Sequence, residues 1–281
     1  MDLIPLDILK EIFGFCDFLT KIRFRQICKY TYKNLNIIDF YYIKEKYLSK
    51  LTDDILKNYP FIRYLNASNN PKITNESCMK NLKELDASWN TAIDQLGING
   101  LDLIKLNASN NPYIKGVSWM KNLKELIAVE DCGIDQLGIH ELDLIKLNIC
   151  YNSKIKDVSW MKNLKELNAI GYFGINQLGI NGLDLIKLNV RDNPNIKDIS
   201  WMQNLKKLDA SGNSGIDQMG IKGLNLIKLS AWNNAKITNT SWMKNLKKLN
   251  ASGNSGIDQL GINGLNLIKL NAWNNPKINK I

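Results

Sequence analysis

Leu226-Ile227-Lys228-Leu229-Ser230-Ala231-Trp232-Asn233-Asn234 is the stretch that decides the fold, and it returns almost unchanged over 267–275. Its skeleton, Leu-x-x-Leu-x-Ala-x-x-Asn, begins at Ile62 and again at positions 82, 103, 123, 144, 164, 185, 205, 226, 246 and 267. The spacings alternate between 20 and 21 residues, so the larger unit is 41 residues long. An internal period in this range predicts a stacked solenoid, in which each repeat buries its apolar face against its neighbours. Along the stretch, the first, fourth and sixth positions point inward and the third, fifth and seventh outward, by the period of two. Each turn then adds one short parallel strand about 4.8 Å from the next. Twenty residues leave no room for a full α-helix after the strand, so the returns are expected to be extended or 3₁₀.

This skeleton resembles the leucine-rich-repeat family. The resemblance implies an α/β solenoid: a horseshoe of eleven turns with parallel strands on the concave face. The sixth position, where that family often carries Leu, is mostly Ala here and implies a thin core. The ninth position is Asn in nine turns: Asn70, Asn90, Asn111, Asn152, Asn193, Asn213, Asn234, Asn254 and Asn275. An amide has donors and an acceptor, so it can satisfy both kinds of buried backbone group. All nine are expected to form the family's asparagine ladder. One kind of return carries Ser-Trp-Met at Trp119, Trp160, Trp201 and Trp242, with Cys78 in the matching place of the first; the other reads like Gly256–Ile262. The Trp column is expected to pack as core along the back.

Departures from the repeat point to function. The third position alternates in sign through Glu84, Lys105, Glu125, Lys146, Glu166 and Lys187, then stays basic at Lys207, Lys228, Lys248 and Lys269. Opposite charges on adjacent strands can pair, whereas stacked lysines repel and relax on meeting an anion. Trp232 and Trp273 share the seventh position and are expected to stand exposed beside these lysines. Asn189, Asn250 and Asn271 at the fifth position add groups suited to peptide backbone. The expected target-binding set is therefore Lys187, Lys207, Lys228, Trp232, Lys248, Lys269 and Trp273. A second break brings Tyr151, Tyr172 and Arg191 into irregular turns, which either display these side chains to the target or have drifted without a role.

Residues before the repeat read as short helices. Pro5 suits a helix start and Asp7 the positive end of the helix dipole. Ile4-Pro5, Asp7-Ile8-Leu9, Glu11-Ile12-Phe13, Asp17, Arg25-Gln26-Ile27-Cys28-Lys29 and Tyr32 together resemble an F-box. The resemblance implies a three-helix domain over 1–46 that docks on a Skp-type adaptor through Pro5, Leu9, Ile12, Phe13 and Ile27. Thr31 stands where that family usually has Trp; Tyr30 or Tyr32 is expected to fill the space. Residues 47–61 follow as a helical linker and cap, with the piece from Phe40 to Tyr59 helical and a helix start at Thr52, and 62–281 as the solenoid. The other reading makes the whole helical region a cap for the first turn.

Five cysteines without a CxxC pair are expected to be reduced thiols of a cytoplasmic or nuclear protein. Charged residues Asp2, Asp7, Lys10, Glu11 and Asp17 interrupt any signal peptide, and no apolar run reaches membrane-spanning length. The net charge of +10 is uneven: residues 185–281 hold fourteen Lys/Arg against five Asp/Glu. With one histidine, no metal-ligand spacing and no phosphate-cradling loop, neither an enzyme nor a cofactor is expected. The expected function is target capture for a Skp–cullin–F-box type ubiquitin ligase, with an acidic protein as target; the alternative is a stand-alone binding scaffold. Nucleic acid, suggested by the basic end, ranks last, and no membrane partner is expected. The Asn-, Lys- and Ile-rich style resembles F-box/repeat proteins of large DNA viruses and of protists with AT-rich genomes.

Overall fold

Residues 4–75, 77, 79–90 and 92–279 are described by the computed structural model of the chain. Leu3 and Cys78 lie outside them. Two compact units divide at Leu106/Asn107.

The first unit begins with α1 (Leu6–Phe15), α2 (Phe18–Gln26) and α3 (Lys29–Asn34). Asp17 caps α2 by accepting from the Thr20 backbone N–H at 2.9 Å, which together with the Thr20 hydroxyl holds its carboxyl below the usual range. The connecting piece is not simply helical. It opens with β1 (Asp39–Phe40), followed by α4 (Glu45–Leu48) and α5 (Asp53–Leu56), and Thr52 caps α5 as expected. Strand β1 pairs in parallel with β2 (Tyr64–Asn66), which pairs with β3 (Glu84–Asp86). A two-residue strand carries no alternation to read, so β1 had no signal in the sequence. Phe40 is buried between Phe18 and Tyr59, with ring centroids 5.1 and 5.0 Å away.

Residues of β4 (Lys105–Asn107) fall on either side of the division. In the second unit β5 (Glu125–Ile127), β6 (Lys146–Asn148), β7 (Glu166–Asn168), β8 (Lys187–Asn189), β9 (Lys207–Asp209), β10 (Lys228–Ser230), β11 (Lys248–Asn250) and β12 (Lys269–Asn271) run parallel, each in register with the next. The inward leucines and alanines are buried as far as the turn of β11, and Leu267, Leu270 and Ala272 of the β12 turn are half-buried. 3₁₀ turns occupy the returns at Leu137–Ile139, Leu178–Ile180 and Leu260–Ile262.

The asparagine ladder differs from the expectation. Asn213 and Asn254 are exposed. Their places are taken by Ser214 and Ser255 one residue later, buried and accepting from the backbone N–H of Ile216 and Ile257. Cys132 occupies the same column, fully buried. In the second unit the bonded asparagines recur every 41 residues and reach back into the intervening turn. Asn152 donates to Ala128 O and Ile134 O, Asn193 to Ala169 O and Ile175 O, Asn234 to Ala210 O and Ile216 O, and Asn275 to Ala251 O and Ile257 O. Each also accepts from the backbone N–H two residues on, as Asn234 does from Lys236 at 3.0 Å. Gly215 and Gly256 donate to the backbone carbonyls of Asn193 and Asn234, and a Cβ on either would overlap carbonyl oxygens of the preceding turn. The physical module is thus two turns: one closed by Asn, the other by Gly, preceded by a small buried residue except in the turn of β7, where the exposed Phe173 precedes Gly174.

Two further columns depart from the reading. Trp160, Trp201 and Trp242 are half-buried, each donating its indole N–H to a carbonyl of the preceding turn (Leu142, Leu183 and Leu224). The core residues of that return are instead Met120, Met161, Met202 and Met243. Ser88, Ser211 and Ser252, expected outward at the seventh position, are buried. The hydroxyls of Ser88 and Ser252 fold back onto Asp86 and Asn250, at 2.5 and 2.6 Å.

A test separates the two kinds of asparagine. Asn234→Ala strands the carbonyls of Ala210 and Ile216 and is expected to cost roughly 2–4 kcal/mol, whereas Asn213→Ala stays within about 0.5 kcal/mol. Chemical denaturation followed by circular dichroism measures both; equal losses would restore the uniform ladder.

Candidate functional site: two interaction surfaces

The helical domain divides its apolar residues between inside and outside. Leu9 and Phe13 are buried, Phe13 with its ring 6.1 Å from Phe24. They build the domain and are not available for docking, which corrects their assignment as adaptor contacts. Pro5, Ile12 and Ile27 are exposed. Beside them the sequence reading missed Ile4, Ile8 and Phe15. Ile8 and Ile12, one helical turn apart on α1, remain 44% and 42% exposed, and Phe15 86%. An i, i+4 offset to the buried Leu9–Phe13 pair was the available signal; two stripes on one short helix cannot both face its core.

Thr31 is buried in its own right. Its hydroxyl accepts from the Cys28 backbone N–H at 3.2 Å and lies 2.9 Å from the Cys28 carbonyl, closing the first turn of α3. Neither Tyr30 nor Tyr32 fills the space expected for a Trp, since both are exposed. The Arg25 guanidinium instead sits 4.7 Å from the Tyr32 ring and 5.5 Å from that of Tyr59.

The second surface is the strand wall of the second unit. Register stacks Glu125, Lys146, Glu166, Lys187, Lys207, Lys228, Lys248 and Lys269 in one column. Lys146 pairs with Glu125 at 2.7 Å and Lys187 with Glu166 at 3.4 Å. The Glu125 carboxylate holds the Lys146 ammonium above its usual value. Lys207, Lys228, Lys248 and Lys269 are exposed and have no ion pair among the described residues. Trp273 stands 72% exposed, but Trp232 is half-buried because the Arg191 guanidinium lies 4.9 Å over its ring. Arg191 also donates to Asp192 at 3.2 Å. The structure therefore joins Arg191 to Trp232 and leaves one free indole where two were expected.

At the rim of the wall the irregular turns do display aromatics. Tyr151, Tyr172 and Phe173 are exposed, and Tyr151 packs over Gly171. The eighth position has positive φ in these turns; Asn233, Gly253 and Asn274 tolerate it readily, whereas Glu130 (58°) and Tyr151 (55°) are strained there.

No metal-holding group of His, Cys, Asp and Glu occurs among the described residues, and none of their helices is long and apolar enough to cross a membrane.

Residues 1–41 match the family model of the F-box domain. The chain therefore carries an F-box domain, followed by a solenoid of parallel strands in turns of 20 and 21 residues. Two solved structures are similar. The functional domain of InlJ from Listeria monocytogenes shares 19% identity at a TM-score of 0.45, covering 78% of this chain and 60% of that one. TLR13 in its complex with ssRNA13 shares 19% identity at a TM-score of 0.47, covering 87% of this chain and 44% of that one. The chain thus spans less than two thirds of either. No curated protein matches it.

The thiols give an independent check on both units. Hydrogen bonds from Thr31 hold the exposed Cys28 thiol below its usual value, whereas burial pushes Cys132 up to about 11. Alkylation of the native protein at mildly alkaline pH, read by mass spectrometry, is expected to label Cys28 first and Cys132 only after denaturation. Comparable rates at the two would refute the buried tenth-position column.

Proposed function

We propose that this chain is the substrate-recognition subunit of a Skp–cullin–F-box type ubiquitin ligase. One observation carries the reading: a domain matching the F-box turns Ile4, Ile8, Ile12, Phe15 and Ile27 outward. A cap serving only the first turn would be polar on its far side, whereas Ile8, Ile12 and Phe15 lie on one face of α1 by helical spacing, and an exposed apolar face marks an interaction site. The helical region does cover the first turn through Phe18 and Phe40, so it caps and docks at once.

Catalysis belongs to the recruited ligase. The chain acts by proximity, holding a target protein on the strand wall so that its lysines lie near a charged ubiquitin carrier. Such work places it in the cytoplasm or nucleus.

Leu9→Ala or Phe13→Ala would test folding as much as docking, since emptying these core positions costs about 2–5 kcal/mol. Ile8→Asp with Ile12→Asp changes only exposed side chains. This variant is expected to keep its circular dichroism spectrum and to bind a purified Skp-type adaptor at least about tenfold more weakly. Unchanged adaptor affinity, or no affinity in the parent chain, would leave the stand-alone scaffold as the function.

A further inference from the structure

We infer that the wall from β8 to β12 takes an acidic protein segment, rich in Asp and Glu, as its ligand. The inference rests on the wall being the target-binding face, but not on the docking of the F-box domain.

The argument begins with what the fifth-position side chains have left to offer. Asn189 Oδ1 accepts from the Arg191 backbone N–H at 3.1 Å. Asn250 Oδ1 accepts from the Ser252 N–H at 3.2 Å and its hydroxyl at 2.6 Å. Asn271 Oδ1 accepts from the Trp273 N–H at 3.1 Å. Each amide has committed its oxygen to its own loop, and its NH₂ group makes no hydrogen bond among the described residues. These asparagines therefore act as donors, not as the two-way partners of peptide backbone that the sequence suggested. Ser230 is engaged with Ser211 at 2.7 Å, and Asp209 spends one oxygen on the Ser211 N–H.

Beside these donors stand Lys207, Lys228, Lys248 and Lys269, stacked in register without an acidic partner among the described residues. Neighbouring strands lie about 4.8 Å apart, less than the roughly 8 Å screening length of physiological salt. The lysines therefore act as one field. A shallow depression of about 350 Å³ opens among Lys228, Lys248, Lys269, Asn250 and Asn271, with the second oxygen of Asp209 as its one anionic group. Three ammonium groups and the asparagine NH₂ groups outweigh the acceptors left there, so the complementary ligand is an acceptor-rich anion.

The same unit holds its own control. Over β5–β8 the identical backbone carries Glu125–Lys146 and Glu166–Lys187, which neutralise each other across the strands. The change of Glu to Lys at 207 and 248 removes that internal neutralisation without altering the register. Carboxylates three or four residues apart on a helix are separated by about 5–6 Å, close to the spacing of this column. Binders of single-stranded nucleic acid interleave aromatic stacking platforms with basic residues. The third and fifth positions of β8–β12 hold no aromatic, and with Trp232 closed under Arg191 the seventh position offers one exposed indole, Trp273, not an interleaved series.

The test uses the full chain and fluorescence anisotropy with three labelled probes: a decaglutamate peptide, its decaglutamine counterpart and a single-stranded oligothymidine. Decaglutamate is expected to bind, with affinity falling as salt rises; decaglutamine is expected not to bind, and oligothymidine to bind at least about tenfold more weakly than decaglutamate. Lys228→Glu with Lys248→Glu should weaken decaglutamate binding by at least about tenfold. Lys222→Glu with Lys244→Glu makes the same charge change on the returns and should leave it within about twofold. Equal losses in the two double variants would reduce the effect to net charge and overturn the site. Tighter binding of oligothymidine would make the ligand a nucleic acid, and no binding of decaglutamate would remove the acidic segment. Adaptor affinity of the Lys228/Lys248 variant, expected unchanged, keeps this outcome separate from that of the F-box reading.

Discussion

The reach of one buried amide across an intervening turn holds the second unit together. Asn193, Asn234 and Asn275 each donate to two carbonyls of the turn before and accept from the chain two residues on. A tight solenoid turn otherwise buries backbone groups that no water reaches, and each left unsatisfied costs on the order of 1–3 kcal/mol. The glycines follow from this constraint, because the Asn-closed turn presses its carbonyls against the next turn where a Cβ would stand. A second amide column repeats the logic on the returns. Gln136, Gln177 and Gln218 each donate to one carbonyl and accept from two backbone N–H groups of the following turn. Gln259, in the return Gly256–Ile262, holds the matching place and accepts from the Asn279 backbone N–H.

With the backbone satisfied in this way, the outward positions are free to vary. The lysine column can lose its glutamates because no part of the fold depends on those pairs. Exposed ion pairs of this kind contribute about a kilocalorie per mole or less. The helical domain has no such freedom. Its α1 is one short helix whose Leu9–Phe13 stripe builds the core and whose Ile8–Ile12 stripe faces out. A substitution on one side is therefore a folding change and on the other a binding change.

Much of this was legible in the residues. The 20/21 alternation announced parallel strands and returns too short for helices, and sign alternation at the third position announced the Glu125–Lys146 and Glu166–Lys187 pairs. What stayed hidden was hidden for particular reasons. Asn213 shares a column with Asn234, and only the one-residue shift to Ser214, itself legible as the longer Gly-Asn-Ser-Gly turn, shows which is buried. Trp232 was expected free because Arg191, its partner, lies two turns away in sequence and beside it in space. Leu9 and Ile12 are equally apolar, and which of them faces the core depends on the packing of α2 and α3.

The pairing of unlike turns also constrains how an array of this kind changes its length. In the second unit, losing or gaining one turn would set two Gly-closed turns side by side, leaving carbonyls without amides, or two Asn-closed turns. The first unit does accommodate the latter arrangement: the buried Asn70 and Asn90 lie in adjacent turns, and Asn90 donates to the carbonyls of Ala67, Asn70 and Ile73. Exchange of 41 residues preserves every contact. Copy number in the part of such an array that carries Gly-closed turns should therefore move by pairs, and a family tree drawn from those repeats should branch at the doublet.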